Sequence, residues 1–328
     1  MKLKNILLST AALLLISLSG LAQGGGDAVA GGMITEESLI KPVEFLTDSL
    51  CEGRGTGTRG GFETAAWLIR QFKDAGLVPF NMFGKSFRYE GRTGHNIVGL
   101  CPSSTPSDKY VIIAAHYDNI GVLSGTYYPG ADSNASGVSV LVNLAKVFGK
   151  LRDSGYTVGQ NIIFVALDGK QLSMSGSQAF FDCLAGGAFF DPVNRRMIRM
   201  EKVSVMVNLD IVGGTLEPLN AGRKDYLIML SDNASLQSAL SEVNASHRPS
   251  MDIAFDYYGS KDFTDLFFRR VSDQKPFVER GVPSVMFTSG ITMNTNKVED
   301  NAGSIDIPVL RERAMLIYRW LENVMKLK

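Results

Sequence analysis

Six short stretches, residues 96–100, 110–115, 161–167, 203–209, 226–230 and 284–287, are almost unbroken runs of apolar residues such as Val, Ile and Leu. A strand with one wet face alternates apolar and polar residues, so continuous runs require a sheet covered by helices on both sides. Between or after them lie segments of helical character at 135–148, 235–243, 263–270 and 309–325. This alternation predicts an α/β fold, a three-layer αβα arrangement around a mostly parallel open sheet.

Upstream, Thr35-Glu36-Glu37-Ser38 opens a helical pattern that reaches about residue 49. A glycine-rich stretch, Cys51-Glu52-Gly53-Arg54-Gly55-Thr56-Gly57-Thr58, reads as a loop. Residues 62–75 then carry Ala65, Leu68, Ile69 and Phe72 at helical spacing and stop at Gly76.

With 328 residues, 45% hydrophobic and 20% charged, the chain has ample material for a large core. No repeat or compositional break divides it, and residues 33–328 are expected to form one domain. Lys plus Arg and Asp plus Glu balance at 33 each, which argues against nucleic acid or another polyanion as partner. Oligomeric state is left open.

Residues 1–22 have the form of a signal peptide: Lys2 and Lys4, an apolar stretch over 6–18, and small residues at Gly20 and Ala22. That stretch is shorter than the roughly 20 residues of a spanning helix. Export to the periplasm or beyond is therefore expected, with no membrane span after cleavage. Residues 23–32, with Gly24-Gly25-Gly26 and Gly31-Gly32, read as a flexible linker. Cys51, Cys101 and Cys183 allow at most one disulfide. Residues 185–200, with Arg195, Arg196 and Arg199, read as a surface lobe inserted beside the site.

In open α/β sheets ligands sit beyond the carboxyl ends of the strands, where His116, Asp132, Lys170 and Asp210 fall. An imidazole and two carboxylates, His116, Asp132 and Asp210, form a set suited to a divalent metal, with Asp118 placed to orient His116. Singly, each has a plainer reading: a histidine satisfied at a strand end, Asp132 as a helix cap before Ser133-Asn134-Ala135-Ser136, Asp210 as a solvated strand end.

Taken in register, Ser49 to Thr58, Asn96-Ile97-Val98-Gly99, His116-Tyr117-Asp118, Gly130-Ala131-Asp132-Ser133-Asn134-Ala135-Ser136-Gly137, Asn208-Leu209-Asp210 and Gly281-Val282-Pro283-Ser284 resemble the di-zinc aminopeptidase family. That family comprises the secreted bacterial leucyl aminopeptidases, with glutaminyl cyclases and the transferrin receptor ectodomain as relatives. The resemblance implies a zinc-exopeptidase-like fold, His116 and Asp210 on a first zinc, Asp132 bridging two zincs, and Asp118 orienting His116.

The other half of the site departs from the pattern. Where the family has two consecutive glutamates, a general base and a second-zinc ligand, this chain has Lys170-Gln171. The family's terminal histidine ligand aligns with Asn296, and a pocket histidine with Gln274. Neutral amides are weak zinc ligands, and an ammonium is no base unless its pKa falls by several units. The expectation is at most one zinc ion, and a cleft with Gln274 and Asp168 beside it that binds a peptide or small amide-containing ligand with little or no hydrolysis. The alternative is a mononuclear zinc exopeptidase or related amide hydrolase using Asp168 or Glu299 as base. A subsidiary expectation pairs the Lys170 ammonium with Asp132, in place of the second zinc.

Overall fold

The computed structural model describes residues 25–215 and 225–326; the signal-like segment 1–22 lies outside them. Residues 25–33 form helix α1, followed by α2 (Glu36–Leu46), α3 (Arg59–Asp74), α4 (Ser136–Asp153), α5 (Ser175–Ala185), α6 (Ala234–Ser246), α7 (Lys261–Arg269), α8 (Lys275–Glu279) and α9 (Ile307–Lys326). The strands are β1 (Val78–Tyr89), β2 (Arg92–Cys101), β3 (Tyr110–His116), β4 (Gly121–Leu123), β5 (Thr126–Tyr128), β6 (Asn161–Leu167), β7 (Phe190–Asp191), β8 (Arg196–Met197), β9 (Val203–Leu209), β10 (Tyr226–Leu230), β11 (Asp252–Ala254) and β12 (Ser284–Thr288).

Eight strands form one sheet in the order β1-β2-β6-β3-β9-β12-β10-β11. Its centre, β6-β3-β9-β12, is parallel, while β1, β2 and β10 join antiparallel to their inner neighbours. The continuous apolar runs have the predicted cause. Along β3, Val111, Ile113 and Ala115 pack into a core shared with α2, α3, α4 and α9, whereas Tyr110, Ile112 and Ala114 face a second core with Phe180 and Phe181 of α5 and Phe277 of α8. Successive side chains of a strand point to opposite faces, so both faces need apolar residues when both are covered.

Two expectations are corrected. Residues 25–32 are helical, not a flexible linker: Ala30 is buried in the core and Asp27 pairs with Arg319 at 3.0 Å, so docking outweighs the poor helix propensity of its glycines. The lobe at 185–200 does not lie beside the site. Asp191 accepts a hydrogen bond from the Tyr110 hydroxyl at 2.5 Å, and Asn194 reaches Asn161. Both partners open their strands, so the lobe caps the amino ends of β3 and β6, opposite the cleft. The longest strand, β1, leaves no continuous apolar run in the sequence, because Asn81 and Gly84 interrupt it, and the β1/β2 register shifts between Pro79 and Gly84.

The glycine-rich loop is fixed by Arg54, which is fully buried. Its guanidinium donates to the carbonyls of Leu46, Tyr117, Pro129 and Gly130 at 2.6 to 2.7 Å. Gly53 beside it has φ +64°, and a Cβ there would meet the Tyr128 carbonyl at 2.5 Å. The loop is thus clamped onto the segment that follows β3. All three cysteines are free; Cys51 and Cys101 are buried. Among the described residues no helix is long and apolar enough to cross a membrane.

Candidate functional site

Parallel pairing brings the carboxyl ends of β6, β3 and β9 into line, with His116 opposite Leu167 and Ala114 opposite Asn208. His116 ends β3, Asp210 follows β9, and Lys170 and Gln171 occupy the turn after β6. They border a cleft of about 200 Å³. Its polar lining includes His116, Lys170, Gln171, Asp210 and Asn296; its apolar wall is Tyr257, Phe267, Val271, Met286 and Ile291.

At the floor, His116 Nε2 lies 3.2 Å from Asp210 Oδ1. The Lys170 Nζ lies 2.6 Å from Asp210 Oδ2, 3.3 Å from Ser272 Oγ and 3.6 Å from Asp273 Oδ2. Ser272 donates a further hydrogen bond to Asp210. Among the described residues, His116, Asp210 and Asp273 form a buried group whose potential ligand atoms all lie within 4.8 Å of one another. Asp273 and Ser272 directly precede Gln274 in the chain, and of the three only Gln274 carried a sequence expectation. The signal for them was weak, because nothing local marks 272–273 as facing β9; Asn208 Nδ2 holds the segment there by bonding Ser272 Oγ and Gln274 Oε1, both at 2.9 Å.

Several expected residues stand elsewhere. Asp132 is not part of the cluster: its Oδ1 accepts from the Gly213 and Gly214 amides at 2.8 and 3.0 Å and from Ser136 at 3.2 Å. Its Oδ2 is buried with no hydrogen-bond partner among the described residues. The expected Lys170–Asp132 pair is therefore replaced by Lys170–Asp210, because the Asp132 carboxylate is drawn to the amides at 213–214. Asp118 touches His116 mainly through its backbone carbonyl, 3.1 Å from Nδ1, with its nearer carboxylate oxygen at 3.8 Å. That carboxylate instead accepts the Lys170 and Gln171 amides, each at 2.9 Å.

Asp168 and Gln274 do not line the cleft. Asp168 is buried and takes hydrogen bonds from Thr56 Oγ1, the Gly169 amide, the His95 amide and the Tyr117 hydroxyl at 2.7 to 3.1 Å. Gln274 is fully buried; it accepts from Asn208 and donates to the carbonyls of Phe267 and Phe268. Both braces leave no atom for a ligand. Gln171 and Asn296 do line the cleft, but are exposed. His95 and His247 lie away from it, His95 against Ser86 and His247 against Arg319 and Glu312.

The electrostatics follow from burial and pairing. Burial opposes charge on Asp210, yet Lys170 and then His116 hold its carboxyl far below the usual range. Burial also opposes charge on Lys170 and His116, but Asp210 outweighs it and raises both. Asp273 is raised by burial despite Lys170. Asp132 is pushed up to about 7 by burial and Asp300, and Asp118 to about 7 by burial and Asp168.

A zinc centre needs ionised or imidazole donors within about 2.0–2.3 Å of a common point. His116, Asp210 and Asp273 are close enough to share one, but an ammonium already stands there, hydrogen-bonded to Asp210 at 2.6 Å and 3.6 Å from Asp273. The second half offers only the exposed amides of Gln171 and Asn296. The residues present do not fit a two-metal centre.

An open, mostly parallel sheet with these donors at its carboxyl edge defines an α/β protein with its ligand cleft at the strand ends. The model of peptidase family M28 matches residues 96–321, and the chain belongs to that family. It is 26% identical over 288 residues to a probable zinc metalloprotease of Pyrenophora tritici-repentis, covering 77% of this chain and 62% of that protein. It spans about half the length of the curated relatives it matches. Among solved structures, LapB of Legionella pneumophila shares the fold with a TM-score of 0.69 at 17% identity, over 92% of this chain and 75% of LapB. The glutaminyl cyclase of Porphyromonas gingivalis does so with 0.66 at 17%, over 88% and 98%.

Proposed function

We propose that this exported member of peptidase family M28 uses its cleft to bind a peptide or small amide-containing ligand without hydrolysing it, and takes up at most one zinc ion. The observation that carries this reading is Lys170, where the resemblance implies a glutamate base, held at 2.6 Å from Asp210. An ammonium raised in pKa by its carboxylate neighbours cannot accept a proton from water at neutral pH. The candidate substitutes do not take over the role: Asp168 is consumed by four donors, and Glu299 is exposed and outside the cleft lining.

The cleft itself keeps the character of a binding site, an apolar wall facing a few convergent polar groups. Hydrophobic side chains would pack on Tyr257, Phe267 and Met286, and amide groups would meet Gln171 and Asn296.

Purified protein supplied with zinc should release no amino-terminal residue from aminoacyl reporter amides above background, and should bind short peptides with an apolar residue reversibly. Ile291→Trp, which adds bulk at the exposed cleft wall, should abolish that binding without altering the unfolding midpoint. Reporter turnover lost on Asp210→Asn would overturn the reading in favour of a mononuclear exopeptidase.

A further inference from the structure

We propose that the Lys170 ammonium is a built-in cation that closes a latent divalent-metal site formed by His116, Asp210 and Asp273. This goes beyond peptide binding, since it concerns what the floor of the cleft admits and not what the wall contacts.

Three buried donors from three separate chain segments, the end of β3, the end of β9 and the turn between α7 and α8, converge within 4.8 Å. Convergence alone would be weak, since acidic groups gather without a metal. A second observation points to a cation: both carboxylate oxygens of Asp273 are fully buried and have no hydrogen-bond donor among the described residues. Their nearest cationic group is the Lys170 Nζ at 3.6 Å, beyond hydrogen-bonding distance.

A buried carboxylate left in that state needs compensating charge nearby. One ammonium supplies it to Asp210 by direct contact and to Asp273 at longer range. It also occupies one of the two Asp210 carboxylate oxygens, and its charge repels a second cation. Lys170 comes from the turn after β6, whose backbone is fixed by Asp118, so its side chain can be exchanged while the three donors stay in place. The donor set differs from the one the resemblance implied, with Asp273 in place of Asp132.

The test compares zinc retention after equilibrium dialysis, by elemental analysis, and cobalt(II) visible absorption for the full chain and Lys170→Gln. Wild type should hold no stoichiometric zinc and give no cobalt band. Lys170→Gln should hold about one zinc per chain with a tetrahedral or five-coordinate cobalt spectrum. Adding Asp273→Asn in that background removes one of the three donors and should abolish stoichiometric retention, whereas adding Asp132→Asn should not. Lys170→Met serves as a second variant if Lys170→Gln does not fold. Stoichiometric zinc on wild type, metal on neither variant, or metal lost with Asp132→Asn but kept with Asp273→Asn would each overturn the proposal. The readout is independent of peptide binding, so failure here leaves the function of the cleft to be judged on its own assay.

Discussion

Lys170 Nζ sits 2.6 Å from Asp210 Oδ2 at the carboxyl end of β9, an ion pair between side chains that are 15% and 6% exposed. Removing one partner of such a pair strands the other charge in a low-dielectric site, at a cost of about 3–5 kcal/mol. In metal-free buffer, Lys170→Met should therefore lower the unfolding free energy by about that amount. The double variant Lys170→Met/Asp210→Asn should recover part of it, and a urea double-mutant cycle reads the coupling. Additive single effects would show that the pair contributes nothing specific.

Arg54 satisfies four backbone carbonyls from three regions of the chain. Arg54→Met keeps much of the volume and removes every donor, so about 2–4 kcal/mol should be lost through the unsatisfied carbonyls. Hydrogen exchange should speed selectively at residues 117–130, the segment that Arg54 clamps. Uniform acceleration across the sheet would contradict that local role.

The glycines of α1 offer a test of the opposite sign. A Cβ at Gly31 or Gly32 meets nothing within 4 Å, and both positions are helical. Gly31→Ala should stabilise the protein by about 0.5–1 kcal/mol, because glycine loses more backbone entropy on entering a helix. A linker at these residues would give no change in the unfolding midpoint.

His247 is 1% exposed, with Nδ1 2.5 Å from Arg319 and Nε2 3.3 Å from Glu312. Burial and then Arg319 lower its pKa below the ordinary value of 6.5, against the pull of Glu312 and Asp27. The unfolded chain therefore binds more protons between the lowered folded value and 6.5, and stability falls as pH drops through that window. Urea midpoints measured from about pH 7.5 to about pH 5 should decline more steeply for wild type than for His247→Gln. Equal slopes would remove His247 as a source.

The elements that could be read from sequence are those whose chemistry is local. Strands β6, β9 and β10 match the expected boundaries because their apolar runs are continuous and end abruptly. His116 and Asp210 were legible as neighbours because adjacent parallel strands place their carboxyl ends together. Asp132 was misplaced because its direction depends on the amides of Gly213 and Gly214, some 80 positions away. Asp273 was missed for a similar reason: only Asn208, reaching across from β9, brings 272–274 to the floor of the cleft. Side-chain aim set by distant backbone leaves no periodic mark in a sequence.

The Asp118 carboxylate grips the two amides of residues 170 and 171, one with each oxygen. That grip acts on main chain and is blind to which side chains those residues carry. The turn therefore works as a socket whose two inserts can be exchanged one at a time, and the chemistry of this cleft can change with no new loop.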